Sequence, residues 1–176
     1  MKKIFGIAIL TILMACNQTA QKSTETNDST KTDAVSAKNE VSIKDEKKLT
    51  IFTNYVDLKN ALVKSDATGA QKTAAVLKNS LAAYEGCEPT AEIAQKIASS
   101  NNLVVQRKDF TVLSADIIAL LKNTEIEKGT IYVQHCPMAN KGDGGDWLST
   151  EKEIRNPYYG NEMLECGRVA EEIKAR

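Results

Sequence analysis

Between Ile51 and Leu121 the apolar residues come in four successive runs, each at helical spacing. Ile51, Tyr55, Leu58 and Leu62 fall three or four apart and share one helix face. Ser65-Asp66 breaks that run and offers an N-cap to the next helix. Ala70, Ala74, Leu77, Leu81 and Tyr84 form the second stripe, and Gly86 fits its stop. Pro89-Thr90 opens a third helix with Ile93 and Ile97; a fourth runs from about Arg107 to Lys122 with Phe110, Leu113, Ile117 and Leu121 inward. Each stripe must be covered, and four stripes on short connections cover one another as an antiparallel helical bundle. The fold class expected is mainly α.

The texture changes after residue 129. Thr130 to Gln134 is β-branched and aromatic, which predicts a short strand or extended segment. Asn140 to Asp146 is a polar, Gly-rich loop; its acidic residues lack the spacing and closing Glu of a calcium loop, so we read it as solvated. Asn156-Pro157-Tyr158-Tyr159-Gly160 reads as a turn, and the pattern from Glu162 to Lys174 as a C-terminal helix. Trp147, Tyr158 and Tyr159 are expected to pack the loops onto the bundle, or to offer a partner surface.

The start of the chain reads as an export signal. Lys2-Lys3 is followed by an apolar run from Ile4 to Leu13, too short to span a bilayer, and then by Leu13-Met14-Ala15-Cys16, a lipobox pattern. The expected organisation is a signal peptide over 1–15, a lipid-anchored tether over 16–49 and a folded domain over 50–176. Lipidation of Cys16 would hold the protein to a membrane through several acyl chains. The tether is polar and gives a reach of about 30 Å. Asn17 in place of Asp suggests the periplasmic side of the outer membrane. The 23 basic and 23 acidic residues cancel, so no basic field invites nucleic acid.

The chemistry-bearing residues gather late. His135-Cys136-Pro137-Met138 precedes Met163-x-x-Cys166, and His135 is the sole histidine. Thiolate beside thioether suits Cu(I) better than zinc. On an extended segment Cys136 and Met138 share a face while His135 points away; on a helix Met163 and Cys166 share a face. The metal set expected is therefore Cys136, Met138, Met163 and Cys166, with His135 as second choice. Zinc, the weaker alternative, needs Cys136, Cys166, His135 and Glu162 or Glu165. In an exported chain Cys136 and Cys166 equally suit a disulfide, with both methionines as core fillers. Cys87 stands apart and reads as a free, buried thiol. No catalytic constellation is present: His135 and Cys136 diverge as neighbours on an extended segment.

The stretches Tyr132 to Ala139, Gly145 to Ser149, Glu153 to Gly160 and Met163-Leu164-x-Cys166-Gly167 resemble an uncharacterised bacterial domain. So does Gln106-Arg107-x-x-Phe110-x-x-Leu113-Ser114. That domain occurs in small lipoproteins and appended to adaptor subunits of Cus-type copper/silver efflux systems. The resemblance, over about residues 50–174, implies a helical domain linked to heavy-metal handling. Its presumed ligands map onto His135, Cys136, Met138, Met163 and Cys166. The function expected is a lipid-anchored periplasmic protein that binds Cu(I) or Ag(I) for sequestration or hand-over to an efflux adaptor. The alternative is a disulfide-stapled interaction module with no metal.

Overall fold

The computed structural model describes residues 40–175. The predicted signal peptide, Cys16 and the tether up to residue 39 lie outside them. Four helices are followed by a strand-rich C-terminal part. The helices are α1 (Glu46–Val63), α2 (Ala67–Ala82), α3 (Glu88–Ser99) and α4 (Leu103–Leu121). The predicted stripes face the core: Ile51, Tyr55, Leu58 and Leu62 on α1, Ala70, Ala74, Leu77 and Leu81 on α2, Ile97 on α3, and Phe110, Leu113, Ile117 and Leu121 on α4 are buried, while Tyr84 and Ile93 are half-buried against them. Consecutive helices pack on one another, and α4 also packs on a C-terminal strand. None of them is long and apolar enough to cross a membrane.

Side-chain caps set where the helices start. Asp45 accepts from the backbone N–H groups of Lys47 and Lys48 at 3.0 and 3.1 Å. Helix α1 therefore begins four residues before the expected Thr50, inside the stretch expected to be tether. Asp66 caps α2 as predicted, accepting from Gly69 N–H at 2.8 Å. Asn102 accepts from Val104 and Val105 and starts α4 ahead of the expected Arg107.

Two antiparallel sheets complete the fold. Strand β1 (Ser42–Ile43) pairs with β2 (Ile126–Lys128), joining the chain before α1 to the chain after α4. The second sheet has the order β4-β3-β5, with β3 (Thr130–Cys136) central between β4 (Gly145–Ser149) and β5 (Arg168–Lys174). The fold is thus mixed, and the C-terminal helix expected over Glu162 to Lys174 is absent. Gly167 holds φ +146, a value no helix contains, so a helix begun at Glu162 cannot run through it. Beyond it, the same residues satisfy the open side of β3 with ladder bonds.

Both faces of β3 are covered. Register pairs Gln134 with Trp147 and Cys136 with Gly145 on one face, and Val133 with Leu148 and His135 with Asp146 on the other. The first face lies under a strap, residues 150–167, that links β4 to β5. An aromatic series ties helices to sheet. Tyr55 stacks on Phe110 at 5.4 Å between centroids, Phe110 meets Tyr158 edge-on at 5.9 Å, and Tyr158 meets Trp147 edge-on at 6.0 Å. The Tyr55 hydroxyl lies 2.7 Å from Ser114 Oγ and accepts from Leu148 N–H at 3.1 Å. Trp147 is 0 % exposed and Tyr158 6 %, so they are core residues and offer no partner surface; Tyr159 is half-buried beside them.

Candidate metal centre

Cys136 ends β3, because Pro137 has no N–H to continue the ladder. The chain turns at Pro137-Met138 instead of staying extended, so alternation does not carry Met138 to the Cys136 face. Met138 sits in the turn with helical backbone angles, 53 % exposed, while Cys136 is buried. Met163 and Cys166 are also paired by a turn, not by a helix: Cys166 N–H donates to Met163 O at 3.1 Å. Such a turn brings its first and fourth residues within about 7 Å, so the three-residue spacing still brings them together. Met163 is 37 % exposed and Cys166 half-buried.

The two turns meet. Cys136 Sγ lies 2.9 Å from Cys166 Sγ, both as free thiols. That separation falls between the roughly 2.05 Å of a disulfide and the 3.5–4.5 Å or so that two metal–sulfur bonds of about 2.3 Å span. Either chemistry requires the sulfurs to shift by only about 1 Å. The neighbouring Cys136 thiol, then burial, push the Cys166 thiol above its ordinary value; a hydrogen bond from the Met138 backbone opposes them. Met138 follows Cys136 in the first turn, Met163 opens the turn that ends at Cys166, and both methionines are partly exposed.

Asn156 holds the arrangement and was not singled out by the sequence. Fully buried, it donates through Nδ2 to the Cys166 carbonyl at 2.9 Å and accepts from Tyr158 N–H at 2.8 Å. Its own backbone N–H donates to Leu164 O at 2.8 Å. The Tyr159 hydroxyl donates to the Met138 carbonyl, tying the strap to the first turn. Gln134 Nε2 donates to the carbonyls of Glu151, Lys152 and Glu153 and fixes the strap's other end. From α4, Arg107 donates to Pro157 O at 2.9 Å and to Ser65 Oγ at 3.0 Å. The sequence marks Asn156-Pro157 only as a turn; the bonds that Asn156 makes to distant backbone leave no local signal.

His135 stands apart from the thiols. It lies on the other face of β3, with Nδ1 2.8 Å from Asp146 Oδ1 on β4. The zinc alternative called for His135 and Glu162 or Glu165 beside the cysteines. Among the described residues no three His, Cys, Asp or Glu side chains gather as a metal site. Any metal held here would rest on the two thiols and the thioethers. Cys87 is buried before α3, and burial first, then Glu88 and Asp116, push its thiol up.

Fold and site together define a small helix-and-sheet domain that carries a thiol pair between two turns. Residues 51–129 match the family model described as "Protein of unknown function (DUF3347)", and that stretch is an uncharacterised domain of unknown function. The match takes in α1 from Ile51 onward, the other three helices and β2, and stops before the sheet that bears the thiols. The structure gives roles to its resemblance residues. Gln106 donates to Ala67 O and Ser100 O, Arg107 reaches the strap, Phe110 stacks on Tyr55, and Ser114 bonds the Tyr55 hydroxyl. No curated protein and no solved structure matches the chain.

Proposed function

We propose that the protein binds a soft monovalent metal ion, Cu(I) or Ag(I), at Cys136 and Cys166, with Met138 and Met163 completing the site. The observation that carries this reading is the 2.9 Å contact between two free thiols on turns that each bear a half-exposed methionine. A thiolate pair with thioethers matches the ligand preference of Cu(I). His135, occupied with Asp146 on the opposite face, is left out of the ligand set. Binding displaces the thiol protons, so affinity rises with pH. The lipobox at Cys16 would place the domain on the periplasmic side of a membrane; hand-over to an efflux adaptor rests on the sequence resemblance alone. No catalysis is needed for sequestration or transfer.

The test is competition for Cu(I) under reducing, oxygen-free conditions between the full chain and a chromogenic chelator. Wild type is expected to take about one ion per chain, and the Cys136→Ser/Cys166→Ser variant none. Equal competition by the two would end the proposal. A second reading is favoured by the same sulfur contact: oxidation joins the thiols and staples the strap to β3. The two readings exclude one another in any single molecule, since the disulfide removes both thiolates. Metal binding is then conditional on the redox state of the pair.

A further inference from the structure

Outside the thiol site, one charged side chain is buried without a direct partner. Lys59 on α1 is 3 % exposed, and no hydrogen bond or ion pair holds its ammonium among the described residues. A buried ammonium in that position is expensive unless something compensates it. Burial pushes Lys59 down to about 8; Glu151 acts through space against that shift, and Arg155 adds to it. Lys59 lines a cavity of about 410 Å³ between α1, the chain just before β1 and the start of the strap. That volume lies in the range of small-molecule sites.

The walls divide by chemistry. Val41, Leu49, Phe52 and Val56 supply an apolar side, the last three at helical spacing on α1. Glu40, Asp57 and Glu151 are the acidic members of the lining, and all three are exposed to solvent. One buried cation with three carboxylates around it disfavours a multiply charged anion. It leaves room for a single negative charge placed directly on Lys59. The apolar side then accommodates a hydrocarbon body.

We propose that this cavity binds a small amphipathic monocarboxylate, its carboxylate paired with Lys59 and its hydrocarbon chain along Leu49, Phe52 and Val56. The ligand gives the buried ammonium the partner that the fold withholds, and Glu151 competes weakly for the same charge. A charge-assisted pair with a side chain this buried is worth a factor of about ten or more in affinity.

Titration of octanoate into the full chain, followed by calorimetry, tests this. Saturable one-to-one binding is expected. Lys59→Met, which keeps the length and removes the charge, should weaken it by at least about tenfold. Glu151→Gln should tighten it, because a competitor for the ammonium is gone. Octanol and octyl phosphate should both bind less well than octanoate. The proposal is overturned if octanoate fails to saturate, if Lys59→Met binds it as wild type does, or if octanol binds as tightly. Lys59→Met is expected to fold, since it removes an uncompensated buried charge. The Cys136→Ser/Cys166→Ser variant should bind octanoate normally, which separates this site from the metal centre.

Discussion

Cys136 Sγ and Cys166 Sγ touch at 2.9 Å, although they stand 30 positions apart in the chain. The contact is made by the strap returning to β3, so the strap's fastenings govern both chemistries open to the pair.

Oxidised glutathione should convert the pair to a disulfide and leave Cys87 as a thiol. The two thiols lose two protons and two electrons, and glutathione disulfide is reduced to two thiols. Peptide mapping after alkylation should find Cys136 linked to Cys166, with Cys87 modified only on unfolding. The bridge should raise stability by about 3–4 kcal/mol in the chain-entropy model for a loop of this size. A Cys87-containing bridge would contradict the geometry.

Asn156→Ala should loosen the strap. It removes the carboxamide that serves Cys166 O and Tyr158 N–H in a fully buried place. A loss of about 2–4 kcal/mol is expected in denaturant unfolding. Weaker Cu(I) affinity in the same variant, with Cys136 and Cys166 intact, would show that the strap positions the thiols. Unchanged stability would contradict the role given to Asn156.

Gly167→Ala should be costly for two reasons that act together. Its backbone sits at φ +146, and an added Cβ would lie 2.8 Å from His135 O and 3.0 Å from the Trp147 ring. Destabilisation by more than about 1 kcal/mol is expected from the backbone alone. Retention of wild-type stability would mean that β5 does not leave the strap as described.

Lys59 gives a pH dependence with a definite sign. Its folded pKa, about 8, lies below the ordinary lysine value of 10.5, so the folded state binds fewer protons between them. The Lys59 penalty is full below about 8 and is relieved as pH rises toward 10.5. The shift corresponds to roughly 3 kcal/mol at most. Glu151, Arg155, Glu40 and Asp57 surround the site, and all are retained in Lys59→Met. The stability gap between Lys59→Met and wild type should therefore be widest near neutral pH and close on the alkaline side. A gap independent of pH would contradict the buried, lowered ammonium.

The helical half was legible because burial enforces the spacing. Ile51, Tyr55, Leu58 and Leu62 can only be covered together, and Asp66 marks its helix start chemically. The C-terminal half was less so. The pattern from Glu162 to Lys174 fits a helix locally, but β3 needed a second neighbour and Gly167 reset the chain. The cysteine contact was anticipated, yet for the wrong local reason at both ends: turns at Pro137-Met138 and at Met163 to Cys166 do what alternation and a helix were expected to do. Lys59 was hidden beside Leu58, since one position along a helix looks like the edge of a stripe until the strap covers it. Asn156 acts through bonds to distant backbone, which no local pattern encodes.

The most direct measurement is X-ray absorption at the copper edge of the reduced full chain loaded with one Cu(I). The account predicts sulfur as the only nearest neighbour, at about 2.3 Å, with the signal lost in Cys136→Ser/Cys166→Ser. Copper bound through nitrogen or oxygen, or bound equally by that variant, would contradict it.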